Sequence, residues 1–174
     1  MAGTTARMHD KPATATALVV ATNTPFWVQG DTATPVKVFI PGSGRLKGKV
    51  FRVVASGRIT GAITTNATIR LQFGTSATGA SNTTVEASSA RAVNSTTRPF
   101  MITIEGVIDN VTDVVNGRGW SQIGATLDAV ATLDANPTID PDTEGQAFVC
   151  SVEFSADSAL NAAFLDSFFL EVLE

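Results

Sequence analysis

The chain has no tyrosine, one cysteine, one histidine and two tryptophans among its 174 residues. Each scarcity closes a route to function. With Cys150 alone there is no intramolecular disulfide and no cysteine-cluster zinc site. Cys150 alternates in phase with Phe148, Val152 and Phe154, the position of a small buried hydrophobe. Nucleophilic catalysis by serine or cysteine normally needs a histidine base. The only histidine, His9, lies in an Ala/Thr-rich N-terminal stretch, which leaves a triad in the packed domain without its base. No HExxH and no GxxxxGK[ST] pattern occurs.

Charge is also sparse. Asp, Glu, Lys and Arg make up 16% of residues, against roughly 25% in typical soluble domains. The net charge is −4, and the longest basic gathering, Arg45 to Lys49, is short and abuts a strand. A binder of phosphate backbones needs clustered Lys and Arg, so nucleic acid is not an expected partner. No apolar run is long enough to span a bilayer, so no membrane partner is expected either. The first residues lack the basic-then-apolar layout of a signal peptide, and assembly in a cytoplasm is the expectation. The sequons at Asn66, Asn82, Asn94 and Asn110 then follow from Thr-rich composition. Solubility rests on Thr, Ser, Asn and Gln, or on surface covered by partner subunits.

What the sequence does contain is strand pattern. In Lys49–Phe73, Phe51, Val53 and Ala55 alternate with Arg52 and Ser56, and Ile69, Leu71 and Phe73 alternate with Arg70 and Gln72. Period two predicts strands with one buried face. The intervening Gly57–Gly61 and Thr64–Asn66 read as turn chemistry joining the two strands into a pair. Further strands are expected over 36–40, 98–107, 111–116, 146–155 and 164–173. Residues 120–127 and 129–133 read as one bent strand or two short ones, over a competing amphipathic helix through 121–133, and Leu160, Phe164 and Phe168 at spacing four keep a helix open before the last strand. Gly74–Asn94 reads as a polar loop with a short strand near Thr84–Ala87 and little core. The expected fold is all-β: a jelly-roll-like β-sandwich of about eight strands over 35–174, with an extended N-terminal arm over 1–34. The apolar run Ala17–Ala21 in the arm fits either a free tail or a segment ordered against a neighbouring subunit.

Three groupings could carry chemistry. Glu105 and Glu153, on outward positions of two strands, could act as paired carboxylates of a glycosidase, with solvated sheet surface as the ordinary alternative. Asp140–Gly145 (DPDTEG) supplies oxygen ligands but not the spacing of a calcium loop. Asp109, Asn110 and Asp113 form a weaker set of the same kind. No catalytic residue, resident metal or cofactor is expected.

Ile40-Pro41-Gly42, Leu46–Val53, Ala55–Thr60, Leu71–Ser76, Ala92–Ser95 and Phe169–Leu173 together resemble small virion structural proteins of tailed bacteriophages. The resemblance covers about residues 36–174. It implies a trimeric jelly-roll knob on the outer capsid surface of the virion. There it would act as a decoration or cement protein whose partners are its own copies, as a homotrimer, and the major capsid protein. On that implication Leu18, Val19, Val20, Phe26 and Trp27 of the arm are candidate contacts to the capsid or a partner subunit. Arg52, Arg58, Arg70 and Trp120 are candidate trimer or partner contacts. A second expectation is a head-fibre or tail-tip module that recognises host glycans through Trp120 and the Gly74–Asn94 loop.

Overall fold

The computed structural model describes residues 7–9 (backbone only), 23–26, 35–40, 46–76, 81–139 and 145–173. Among these the chain is all-β, with no helix. The long strands are β4 (Val50–Thr60), β5 (Thr65–Gly74), β8 (Arg98–Ile108), β9 (Val115–Ile123), β12 (Ala147–Phe154) and β13 (Ala162–Leu173). Shorter ones are β1 (Arg7–His9), β2 (Thr24–Pro25), β3 (Lys37–Phe39), β6 (Thr83–Ala87), β7 (Arg91–Val93), β10 (Thr126–Leu127) and β11 (Ala131–Thr132). The expected count of about eight falls short because the added strands are two or three residues long, too brief to show a period.

The strands form two sheets. A front sheet runs β1-β13-β4-β8-β9-β10, with β11 also on β9; a back sheet runs β2-β12-β5-β6, with β3 also on β12 and β7 also on β5. All named strand pairs are antiparallel. Between the sheets the alternating apolar residues meet. Phe51 of the front sheet lies 6.3 Å from Phe148 of the back sheet, and Phe148 lies 5.0 Å from Phe73, ring centre to ring centre. Such tilted aromatic contacts add to the apolar area they bury. Cys150 is fully buried among them, and burial pushes its thiol up, away from the reactive thiolate.

Several expectations change here. β4 and β5 do not pair. The strand continues through Gly57 to Thr60, with Ile59 fully buried, and the chain then crosses from the front sheet to the back. That corner is held by buried Asn161, whose Oδ1 accepts from the Ala62 amide at 3.4 Å and whose Nδ2 donates to the Ala156 carbonyl at 2.8 Å. It thus ties the β4–β5 crossing to the β12–β13 crossing. Gly57 is needed in the strand for closeness rather than for turning: a Cβ there would strike the Phe164 carbonyl and the Phe100 ring. The polar stretch 74–94 also enters the core, because Val85 and Val93 are fully buried. Leu160, Phe164 and Phe168, whose spacing left a helix open before the last strand, share no face: Leu160 is exposed, Phe164 points outward and Phe168 is buried. The register of β13 on β4 slips between Leu165 and Ser167 at Asp166, so Leu165 and Phe168 both face inward.

Thr24–Pro25 and Phe26, placed by the sequence in the arm, join the sandwich. β2 pairs with β12, and Phe26 is 1% exposed and stacked on Phe100 at 5.8 Å. Phe26 is a core residue, not a surface contact.

Candidate functional site

The outward side of the front sheet follows from its alternation. Val50, Arg52, Val54 and Ser56 leave β4 on the side opposite the core, as do Val107, Glu105, Thr103 and Met101 from β8. Asn116, Arg118, Trp120 and Gln122 do so from β9, and Leu173, Glu171, Phe169 and Ser167 from β13. Because the strands are in register, these residues form rows across the sheet. One row is charged and alternates in sign: Arg118, Glu105, Arg52, Glu171. The next is largely apolar: Trp120, Thr103, Val54, Phe169. β1 continues the sheet at its edge, with Arg7 in register with Glu171 and His9 with Phe169.

Within the charged row Glu105 is gripped from both sides. Arg52 donates to its Oε2 from Nη2 at 2.7 Å and Nε at 3.3 Å, and Arg118 Nη2 donates to Oε1 at 3.0 Å. The two guanidiniums hold the Glu105 carboxyl below the usual carboxylate range. Arg118 keeps 61% of its side chain exposed, so this grip leaves donors facing outward. In the apolar row Thr103 is 2% exposed although it lies on an outer face, between Trp120 and Val54, both half-buried.

Arg58 sits farther along the same face. It clasps Asp166 through two hydrogen bonds of 2.9 Å and lies over the Phe164 ring at 5.2 Å. Arg70 is on the outer face of the other sheet, 2.6 Å from Glu153. The three arginines expected on one partner-facing side therefore divide between two opposite sides, because β4 and β5 belong to different sheets. Arg52, Arg58 and Trp120 stay together. The same division separates Glu105 from Glu153, which stand on outer faces of opposite sheets and cannot share a substrate. Leu18, Val19, Val20 and Trp27, and Asp140 to Glu144, lie outside the described residues.

Among the described residues, Trp120 and the 74–94 stretch form no common groove. Trp120 is on the outer side of β9, while β6 packs toward its inner side. Asp109 spends Oδ1 on the amides of Val111 and Thr112 and the Thr112 hydroxyl, which is a turn cap. Those bonds hold its carboxyl below the usual range. Among the described residues no group of three or more His, Cys, Asp or Glu is placed to hold a metal ion.

Alternation did not point to one feature. In β6 a bulge opposite Leu71 and Gln72 turns both Val85 and Glu86 inward. Glu86 is 6% exposed and presses on Gly119 of β9, where a Cβ would collide with its carboxylate. Its Oε2 has no hydrogen-bond partner. Burial, with Asp134 and Asp128 beside it, pushes its carboxyl up to about 7. Asp128 is differently placed, accepting from the Ser121 hydroxyl at 2.7 Å, the Ser89 amide at 3.0 Å and Arg91. The signal available in the sequence was an acidic residue next to Val85 in a predicted strand, and that alone reads as an exposed position.

Comparison with known proteins finds no matching family model, no matching curated protein and no matching solved structure.

Proposed function

We propose that this is a non-enzymatic virion structural protein, a capsid decoration or cement protein that binds the outer surface of a shell and bridges neighbouring capsomers. The observation that carries the reading is the front face: a broad, regular, half-exposed surface whose charges are already balanced within the chain. A module that works by adding contact area needs such a surface on a rigid body, and the closed sandwich core supplies the rigidity. Each seam it covers needs roughly 1,200–2,000 Å² of buried surface to be a specific contact. An N-terminal extension helps to reach that area. β1 shows the kind of addition available, since strand addition to a sheet edge gives affinity through main-chain hydrogen bonds.

The finer fold assignment is a jelly-roll-like knob. It is supported by nested pairing, in which β4 pairs with β13 and β5 with β12, so the first long strands lie beside the last. Assembly as a homotrimer belongs to the same proposal, with Leu18, Val19, Val20 and Trp27 in the arm toward the capsid, while Arg52, Arg58 and Trp120 stand on a face offered to a partner, whether within the trimer or between copies. The test is electron microscopy of intact particles with and without the protein. Density for the sandwich on the outer shell, and shells that rupture more readily without it, are expected. Particles that lack it throughout and are equally robust would remove this reading.

A further inference from the structure

We propose that the front face is a two-fold docking surface for a second copy of the same chain. The argument is one of symmetry. The four long strands run β13-β4-β8-β9. A two-fold axis parallel to them, passing between β4 and β8, lays β13 over the partner's β9 and β4 over the partner's β8. Rows are kept, because rotation about that axis does not move positions along the strands. In the charged row Arg118 then meets Glu171 of the second copy, and Arg52 meets Glu105, so every contact joins opposite signs. In the apolar row Trp120 meets Phe169, and Thr103 meets Val54.

Axes placed elsewhere fare worse. Through β4 itself, Arg52 faces its own copy; an axis along the row does the same for every charge. Self-complementarity of this kind is what an isologous interface requires. Sheets that pack face to face stay within about 30° of alignment, so neighbouring rows remain neighbours.

The size of the face sets the strength. Four strands about 4.8 Å apart, over the nine residues from Val50 to Arg58, present roughly 500 Å² per copy, or about 1,000 Å² for the pair. That is the lower bound of a specific interface, and it predicts a reversible, concentration-dependent dimer. A pair formed this way occupies the front face, so within it the shell contact falls to the arm and the remaining surfaces, and a threefold contact elsewhere combines with the two-fold in dihedral symmetry. The inference rests on the self-association part of the proposed function and not on the shell.

The decisive experiment is a charge exchange on the full chain, read by sedimentation equilibrium over a wide concentration range. Within one copy Arg118 and Glu171 are three strands apart, about 14 Å, and each neighbours a different residue, Glu105 and Arg52. Arg118→Glu alone and Glu171→Arg alone are each expected to weaken the mass-doubling step about tenfold or more, since like charges placed opposite each other suppress association. The double exchange is expected to restore it, although it leaves like charges beside each other within the copy. Trp120→Ala removes the apolar contact and is expected to abolish doubling; because Trp120 also covers Thr103 within the copy, the charge exchange, which leaves Trp120 in place, decides the outcome. No doubling in the parent, doubling indifferent to the single reversals, or no recovery in the double exchange would each overturn the proposal. A parent that doubles as described but is missing from particles would sink the virion reading alone. A parent that decorates shells as a monomer or trimer without doubling would sink the two-fold face alone.

Discussion

Arg118 and Gly119 are adjacent in β9, and each meets a glutamate from an opposite side of the strand. On the outer side Glu105 receives hydrogen bonds from two guanidiniums and is held below the usual carboxylate range. On the inner side Glu86 presses on Gly119 with an unpartnered oxygen and is pushed up to about 7. The two side chains are chemically identical. What differs is which face of the sheet they occupy, because a buried carboxylate loses solvation that only hydrogen bonds and opposite charge can replace. Glu105 has both. Glu86 faces Asp134 and Asp128 across its own oxygens, so its site favours the neutral acid.

The largest effect expected from this contrast is a pH dependence of stability. The raised value means that the native state holds a proton that the unfolded chain releases between about pH 4.5 and 7. The associated stability is fully present below that window and is lost as pH rises through it. At about 1.4 kcal/mol for each pKa unit, the loss is about 3 kcal/mol. Urea unfolding of the parent at the two ends of the window should show it, and Glu86→Gln, which keeps the shape without the charge, should flatten the slope. An unchanged slope in Glu86→Gln would mean that the inner carboxylate does not feel its burial.

A smaller effect tests the contact itself. Gly119→Ala places a methyl group against the Glu86 carboxylate and should cost about 1–3 kcal/mol, as overpacking of a close-packed interior does. Combined with Glu86→Ala, which vacates the space, the cost should fall well short of the sum of the two single changes, because groups in contact do not add. Strict additivity in thermal or urea unfolding would show that the two residues do not press on each other.

Residue pattern made much of this architecture legible. Alternation of Phe51, Val53 and Ala55 and of Ile69, Leu71 and Phe73 marked buried faces that the structure keeps. It could not show that the two strands lie in different sheets, since period two is the same for a strand paired beside its neighbour and for one stacked across the core. That ambiguity is what placed Arg70 with Arg52 and Arg58. Bulges hid the rest. At Asp166 and at Val85–Glu86 one extra residue shifts the phase, so alternation breaks within β13 and Glu86 read as an outward charge. Gln72 shows a third limit. It alternates outward, yet it is 4% exposed, and its Oε1 accepts from Ser151 Oγ at 2.9 Å and Asn23 Nδ2 at 3.2 Å. A polar residue satisfied by partners distant in sequence looks the same in a pattern as one facing water. The rows of the front face were legible as single alternating residues but not as rows, because register between strands is set by pairing.

The smallest expected effect lies on the outer side of β9 and decides whether the contrast holds. Arg118→Ala removes one of the two guanidiniums on Glu105, while the two hydrogen bonds from Arg52 remain. Arg118 is 61% exposed, so water and salt already screen the pair, and the loss in stability should stay below about 1 kcal/mol. The sign of its pH dependence is opposite to that of Glu86. A lowered carboxylate contributes stability that is present above its ordinary value and lost as pH falls through the lowered one. Arg118→Ala should therefore leave unfolding at neutral pH nearly unchanged and move the acid limb, below about pH 4.5, slightly upward in pH. Glu105→Gln should remove that part of the acid limb altogether. If Arg118→Ala instead costs as much as charging Glu86, then the outer face is not the solvated, internally balanced surface described, and the contrast between the two sides of β9 fails.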